Sequence, residues 1–387
     1  MKISLATNFD NKLIDKIKEY PVYEVYGKLK HDYIGGGRPD NTLSNIDKEK
    51  FENHVKKVRK AGIRFNYLLN GSCLANVEQD PNWQYQFKEF LIYLKSVGVN
   101  ALTITNPYIL MFVKKHFKDD FKVRLSTFAC IDSYTKAKYW EDLGADYMCV
   151  DFVKINRDFK TLKYMVENLK KAKIEILVTN SCLKNCPMIY THTNGLSHAS
   201  NQDKNGNLYE DWSLFYCQKK ELENVEEYIK SPWVRPEDIK YYEDIGIEHF
   251  KITERGFPTD ELVKRVQAYV DRKYDGNLLD LIQGHGVVAS ENLKLEKRQL
   301  SNRKELYEEI KRVRGLGKPR ECKRHIYIDN NKLDNFIKFF VDNKCTGNCK
   351  SCGYYNMIAK KVIYKNEEVC SYLQDLYNKY DDIKMEL

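Results

Sequence analysis

The chain has 387 residues, of which 31% are charged and 42% hydrophobic, and this balance excludes an intrinsically disordered protein. Its 64 Lys and Arg residues exceed its 55 Asp and Glu residues by 9, a mild excess that permits a nucleic-acid partner without requiring one. No run of about 18 apolar residues occurs, so we expect no membrane-spanning helix and no membrane partner. The N-terminal segment reaches Asn8 and Asp10 too early for a secretory signal, which predicts a cytoplasmic location.

Eight short apolar runs rich in β-branched residues alternate with segments whose apolar residues recur at three- and four-residue spacing. The runs predict strands, and Gly62, Gly98 and Gly144 are placed to end helices between them. This alternation predicts an α/β fold, a (β/α)8 TIM-like barrel. A doubly wound open sheet is the alternative, but no Gly-x-Gly-x-x-Gly follows the first strand. The predicted strands are Ile3–Ala6, Val22–Tyr26, Phe65–Leu69, Ala101–Thr105, Val123–Thr127, Tyr147–Val150, Glu175–Thr179 and Glu248–Thr253.

The pattern of the chain changes twice and divides it into three predicted domains. Residues 1–285 are predicted to form the barrel and to carry the catalytic site. Residues 286–320 are predicted to be a charged helical connector, because the stretch from Ser290 to Arg314 has little apolar face. Residues 321–387 are predicted to be a small C-terminal module that contains cysteines.

Two connections are too long for simple turns between a strand and a helix. The first runs from Gly27 to Asn45 and contains three consecutive glycines followed by Arg38. The second runs from Ser181 to Arg235 and begins just after the seventh predicted strand. Both leave the carboxyl ends of strands, where barrel enzymes place their chemistry, so we expect both loops to be functional.

Eleven cysteines are expected to stay reduced in a cytoplasmic chain, so clusters of them indicate metal or redox chemistry. A turn after the seventh strand presents Cys182 and Cys186, and Cys217 follows in the same loop. Such an arrangement suits ligation of an Fe–S cluster, whose thiolate ligands tolerate varied spacing. Zinc is the rival metal. We predict Cys73 as the fourth ligand, because it follows the third strand and so lies at the same end of the barrel, with Cys130 as the alternative.

A second cysteine group, with C-x3-C-x2-C spacing, lies near the C-terminus at Cys345, Cys349 and Cys352, and Cys322 is a candidate fourth ligand. Radical S-adenosylmethionine enzymes use this spacing, but they place it after the first barrel strand. They also favour an aromatic residue where this chain has Ser351. We therefore predict a second Fe–S cluster or a structural zinc, which would stabilise a module too small to bury much core.

The end of the last predicted strand places Lys251, Glu254 and Arg255 where a barrel substrate would sit. Glu254 and Lys251 are predicted to be catalytic, with Glu254 as an acid or base. Glu24 is a polar residue in a strand that should be buried, so it is predicted either to reach the mouth as a further catalytic group or to pair with an arginine.

Four residues are predicted to bind the substrate. Arg38 and Arg255 are suited to clamp an anion. Asn70 and Asn106 each end a strand, where an amide can orient a ligand, and helix N-capping is the alternative role. A rim salt bridge is the alternative role for the charged residues after the last strand.

Several segments together resemble the collagenase-like peptidase family U32 over roughly residues 1–285. They are Asn70-Gly-Ser-Cys-Leu, the Cys182 and Cys186-Pro pair, and Ser231-Pro-Trp-Val-Arg-Pro-Glu-Asp followed by Phe250-Lys-Ile-Thr-Glu-Arg-Gly. Several members of this family carry a 4Fe–4S cluster on four cysteines and hydroxylate RNA bases or a quinone ring without oxygen. The resemblance implies that Cys182, Cys186 and Cys217 are three ligands of such a cluster.

The favoured function is therefore oxygen-independent hydroxylation, or a related modification, of an RNA or a small anionic substrate. A peptidase, as the family name states, is the first alternative, with a cysteine nucleophile and His192 or His198 as its partner. A non-catalytic Fe–S subunit of a heteromeric complex is the second alternative, because related hydroxylases of this family act in pairs.

Overall fold

Eight parallel strands form a closed barrel in the computed structural model of the chain. The structure describes residues 1–39, 43, 45–200, 211–282, 287–288, 295, 300, 302–314 and 323–385. Each strand pairs with the next along the chain, and the eighth closes on the first, with Ile3 opposite Phe250. The strands are β1 Lys2–Ala6, β2 Val22–Gly27, β3 Arg64–Leu69, β4 Ala101–Ile104, β5 Lys122–Leu125, β6 Tyr147–Cys149, β7 Lys173–Leu177 and β8 His249–Ile252. The predicted (β/α)8 barrel is confirmed, with strand ends that differ from the predicted ones by at most two residues.

Helices surround the barrel and continue into the C-terminal part of the chain. Four short strands, β9 Val287–Val288, β10 Lys323–Arg324, β11 Ile326–Ile328 and β12 Ile363–Lys365, form two antiparallel pairs, β9 with β10 and β11 with β12. The helices are α1 Asn11–Ile17, α2 Lys48–Lys60, α3 Pro81–Ser96, α4 Pro107–Phe117, α5 Tyr134–Asp142, α6 Phe152–Ile155, α7 Phe159–Asn168, α8 Ile189–Ser200, α9 Trp212–Glu223, α10 Glu226–Lys230, α11 Ile239–Glu243, α12 Thr259–Asp271, α13 Arg303–Arg314, α14 Lys338–Val341, α15 Cys349–Cys352, α16 Tyr354–Val362 and α17 Glu367–Met385.

Local sequence signals explain where the barrel helices begin and end. Asp10, Asp47 and Asp80 each accept a backbone N–H at the start of α1, α2 and α3, which satisfies a donor that the helix leaves free. Gly62 and Gly98 follow α2 and α3 with φ of 75° and 101°, a region that side chains avoid. The glycine stops predicted from the sequence are confirmed.

Alternation along the strands separates an apolar layer from a polar interior. Ile3, Leu5 and Val25 belong to the main hydrophobic cluster between the strands and the helices. On the opposite strand face, Ser4 Oγ donates to Glu24 Oε1 at 3.0 Å, deep in the barrel. The interior is therefore held together by hydrogen bonds and ion pairs, in addition to apolar packing.

The C-terminal segment packs against the helices that follow β7. Phe215 of α9 shares a hydrophobic cluster with Leu306 of α13 and Tyr377 of α17. Arg235, fully enclosed, donates to Asn330 Oδ1 at 2.8 Å and to the Leu333 carbonyl at 2.7 Å. The predicted domain boundaries at residues 285 and 320 lie outside the described residues. None of the helices in the described part of the chain is both long and apolar enough to cross a membrane.

Asp238 gives the fold a pH dependence that can be measured. Burial raises the pKa of this carboxyl from 3.8 to about 7, with Arg235 opposing the shift. The folded state therefore holds a proton that the unfolded state releases, so stability is expected to fall as the pH rises from about 4 to about 7. Asp238→Asn should remove this part of the decline, as measured by urea unfolding at a series of pH values. An unchanged profile would contradict the assignment.

Candidate functional site

The barrel interior contains a buried charged network centred on Arg124. Its Nε donates to Glu24 Oε1 at 3.1 Å, and its Nη1 lies 2.5 Å from Glu175 Oε1. Asn66 also donates to Glu24 Oε1, at 2.8 Å. Burial acts to raise the pKa of Glu24, but Arg124, Asn66 and Arg64 together outweigh it, and the pKa lies below its usual value.

This geometry corrects the prediction that Glu24 handles protons at the mouth. The side chain is fully buried and paired with an arginine, which is the second of the two arrangements expected from the sequence. A carboxylate held ionised in a closed network is poorly suited to exchange protons with a substrate. We assign Glu24 to the stability of the barrel.

Three of the four thiols predicted to bind a metal are brought together beside the carboxyl end of β7. Cys186 and Cys217 lie in one small hydrophobic cluster with Leu183, and Cys182 acts electrostatically on both. The turn is held from two sides, because the Cys182 N–H donates to Ser231 Oγ at 3.0 Å and the Asn185 N–H donates to the Val153 carbonyl. The Ser231 segment identified in the sequence therefore supports the cysteine turn.

The three thiols differ in their protonation. Cys217 donates a hydrogen bond to the Cys186 sulfur, and this bond, with the backbone N–H groups of Met188 and Ile189, holds the pKa of Cys186 below its usual value despite burial. The same hydrogen bond raises the pKa of Cys217, which donates it, and burial raises this pKa further. Burial also raises the pKa of Cys182. The arrangement therefore favours one thiolate, Cys186.

Soft thiolate donors are the ligands that Fe–S clusters and zinc prefer, so the chemistry of this donor set fits the predicted metal. Within the described ranges, however, no three His, Cys, Asp or Glu side chains converge closely enough to hold a metal ion. Cys73 is half-buried and follows Ser72, whose N–H donates to Ser197 Oγ of α8 at 2.8 Å. Cys130 is buried near Tyr190. The fourth ligand stays a prediction.

A histidine–aspartate pair joins α8, the helix that follows the cysteine turn, to the start of α9. His192 Nε2 is 3.0 Å from Asp211 Oδ1, and the pair is partly exposed. His192 also acts electrostatically on Cys186. A thiol at the start of a helix with a histidine and an aspartate nearby has the composition of a cysteine-nucleophile site.

The mouth of the barrel collects most of the other predicted site residues. Arg38 Nη2 lies 2.6 Å from Glu254 Oε1, and Arg38 is the charged group that acts most strongly on Arg255. Burial, reinforced by that neighbour, lowers the pKa of Arg255 to about 10. Lys251 points into the barrel, with Nζ 4.4 Å from the centre of the Tyr26 ring. The mouth can therefore hold an anion.

The triple-glycine loop brings Arg38 to this place through close packing. A Cβ atom at Gly37 would lie 2.6 Å from the Phe128 ring, and one at Gly36 would lie 3.1 Å from Asn70 Oδ1. The Gly36 N–H also donates to Ser200 Oγ at 2.6 Å. A side chain at Gly37 would therefore collide with Phe128, and one at Gly36 would require Asn70 to shift, so both glycines favour the close packing of this loop.

The sequence profile of peptidase family U32 matches residues 40–308, well over half of the chain. The chain belongs to peptidase family U32. An uncharacterized protease of Methanocaldococcus jannaschii is 28% identical over 363 residues, which cover 93% of this chain and 95% of the relative. The structure of the U32 peptidase Mk0906 aligns with a TM-score of 0.49 at 17% identity, covering 66% of this chain and 93% of that chain. A chitinase from Rhizomucor miehei aligns with a TM-score of 0.40 at 9% identity, covering 70% of this chain and 100% of that chain.

The two asparagines predicted to bind substrate differ in this U32 barrel. Asn106 caps α4, where its Oδ1 accepts the Tyr108 N–H at 2.8 Å, and its amide nitrogen donates to Glu78. Helix capping thus accounts for Asn106, and the prediction that it binds substrate is corrected. Asn70 lies under the glycine loop, and its buried Oδ1 has no hydrogen-bond partner within the described part of the chain. Asn70 is therefore the better candidate for a ligand contact.

The second predicted metal site lies at the C-terminal end of this family member. Cys349 and Cys352 sit one turn apart on α15, and Cys345 is half-buried before it. Cys322 lies outside the described residues. Lys184, in the turn between Cys182 and Cys186, donates to the Tyr355 hydroxyl at 3.3 Å and so joins this region to the first thiol group. A second cluster or zinc here stays a prediction.

Sequence reasoning missed three charged residues that shape the site. Arg124 and Glu175 complete the interior network, and Lys28 pairs with Asp32 beneath the glycine loop at 3.1 Å. The sequence could have identified Arg124 and Glu175, because each is a charged residue within a predicted buried strand, as Glu24 is. Lys28 gave no such signal, since it lies in a loop where charges are common.

Proposed function

We propose that this U32 protein is an Fe–S-dependent enzyme that modifies its substrate, most simply by oxygen-independent hydroxylation in which an organic cosubstrate donates the hydroxyl group and is itself reduced (R–H + D–OH giving R–OH + D–H). The observation that carries the proposal is the hydrogen-bonded pair of Cys186 and Cys217 beside the carboxyl end of β7, with Cys182 close enough to act on both electrostatically. Barrel enzymes bind their substrates at this end of the barrel. These three cysteines would hold a 4Fe–4S cluster, and the fourth ligand would be Cys73 or Cys130.

A bound cluster would supply one-electron chemistry next to the substrate. The protein contributes the surroundings of that chemistry. Cys186 and Cys217 are buried, which limits the access of water and oxygen to their sulfurs. Glu254, which is partly buried at the mouth, is the carboxylate that can accept or return a proton on the substrate, once Arg38 has shifted toward the anion.

Iron and acid-labile sulfide measured after anaerobic purification, with an ultraviolet–visible spectrum, test the proposal. We expect about four irons and four sulfides per chain, as a single cluster requires. About eight of each would add the C-terminal cysteines as ligands of a second cluster. A purified protein that contains only zinc, or no metal, would contradict the proposed function.

A peptidase is the second candidate, favoured by the His192–Asp211 pair beside the cysteine turn and by the name of the archaeal relative. The Cys186 sulfur receives hydrogen bonds from N–H groups at the start of α8, a setting that favours a nucleophilic thiolate. Peptide cleavage that survives iron chelation, is blocked by a thiol reagent and is lost in His192→Gln would support this candidate. A second protein chain required for activity would instead favour a role as one subunit of a heteromeric complex.

A further inference from the structure

Among the residues that the structure describes, positive charge exceeds negative charge at the barrel mouth. Lys28 is paired with Asp32 at 3.1 Å, and Arg38 is paired with Glu254 at 2.6 Å. Arg255 has neither a hydrogen bond nor an ion pair with any residue that the structure describes. Arg255 is half-buried, and Arg38, a group of the same charge, acts on it more strongly than the carboxylate of Glu254 does. Two neighbouring cations held out of water destabilise each other.

Lys251 is a second cation without an ion pair among the described side chains, but it belongs to the barrel interior. Lys251 is only 8% exposed and acts electrostatically on Glu175. Glu175 and Glu24 are both paired with Arg124, and Arg64 also approaches Glu24 at 3.8 Å, so this interior network already contains two arginines. Among the residues that the structure describes, Arg255 is therefore the unpaired cation that lies with Arg38 at the mouth.

The fold holds the two arginines together at some conformational cost. Glu254, which positions Arg38, has a φ of 98°, a backbone conformation that side chains rarely adopt. Backbone strain of this kind is kept only where the surrounding structure holds the residue in place, and it concentrates at functional sites. On the other side, the contact of Gly37 with Phe128 fixes the loop that carries Arg38. Asn70 adds a buried oxygen without a hydrogen-bond partner within the described ranges.

We propose that Arg38 and Arg255 form a binding site for a small oxyanion, a carboxylate or phosphate group, at the mouth of the barrel. Planar guanidinium groups match both of these groups with paired N–H donors. Because the Arg38 side chain is only 23% exposed, a small molecule fits this place better than an RNA backbone. The anion is a group on the substrate or cosubstrate of the modifying reaction, so its biological meaning rests on the proposed function.

Isothermal titration of the full chain with succinate and with inorganic phosphate tests the site and separates the two anions. We expect saturable binding of at least one of them, weakened about tenfold or more in Arg38→Gln and in Arg255→Gln. Arg272→Gln is the matched control, because Arg272 forms an exposed ion pair with Glu243 on the barrel surface, and it should bind as the wild type does. No saturable binding of either anion, or full affinity in Arg255→Gln, would overturn the proposal.

A second variant covers the case in which an arginine replacement impairs folding. Glu254→Gln removes the carboxylate that competes for Arg38 and keeps the size of the side chain, so it is expected to bind the anion more tightly. Weaker or unchanged binding in Glu254→Gln would contradict the site. Anion binding by a chain that contains no iron would contradict the proposed function and support this site. Iron without anion binding would contradict the site alone.

Discussion

Replacing Arg124 by methionine is expected to lower the free energy of unfolding by about 3–5 kcal/mol, one of the largest effects available in this barrel. The substitution removes the main counter-charge of Glu24 and Glu175, because Arg124 lies 3.1 Å from the first and 2.5 Å from the second, whereas Arg64 lies 3.8 Å from Glu24. Neither carboxylate can reach water, since both are fully enclosed. Urea unfolding, followed by circular dichroism, measures the loss.

Lys122→Met is the matched control on the same strand. Lys122 is 46% exposed and pairs with Asp146 at the barrel surface, so its replacement is expected to lower the free energy of unfolding by less than about 1 kcal/mol. The loss in Arg124→Met should also shrink at acid pH, where Glu24 and Glu175 can be protonated and need no counter-charge. Equal losses in the two variants, or a loss that grows at acid pH, would contradict the role assigned to Arg124.

Replacing Cys182 by alanine is expected to abolish both the absorbance of the cluster and the activity, and Cys217→Ala should do the same. Each change removes one of the four predicted ligands, and we expect the three that remain to lose the cluster, because one of its irons would then have no protein ligand. Iron content, sulfide content and the visible spectrum after anaerobic purification measure the effect. An active, colourless Cys182→Ala protein would refute the cluster as the source of the chemistry.

Cys370→Ala serves as the control for this series. Cys370 is also buried, but it packs on α17 in the C-terminal part of the chain, so its loss is expected to leave the spectrum unchanged. Cys73→Ala and Cys130→Ala then decide the fourth ligand, because one of them alone should lose the cluster. If Cys370→Ala loses the cluster as readily as Cys182→Ala, the thiols act through general stability and not as ligands.

Periodicity and punctuation in the sequence were enough to predict the barrel. Strands such as Val22–Gly27 are short apolar runs, and stops such as Gly62 lie where a helix must end with positive φ. Both signals are local, because they depend on which side chains one strand or one helix turn can accommodate. The turn that carries Cys182 and Cys186 is local in the same sense, so it too could be read from the chain.

The contacts that define the site join residues far apart in the chain. Glu24 was predicted to have two alternative positions, and it is the closure of the barrel that brings Arg124, a hundred residues away, to its carboxylate. Cys217 reaches Cys186 only because α9 packs back on the cysteine turn. Asn106 is a different case. The local sequence was enough to recognise it as the cap of α4, but it was predicted to bind the substrate.

Local preferences in the amino-acid sequence thus determined the class of fold, the order of its strands and the pair of cysteines on one turn. The tertiary structure decided which charges neutralise each other and which remain free, as with Arg38, paired to Glu254, and Arg255, left without a partner among the described residues. The physical reason is that electrostatic energy depends on distance and burial in three dimensions. Neither quantity is encoded in the spacing of residues along the chain.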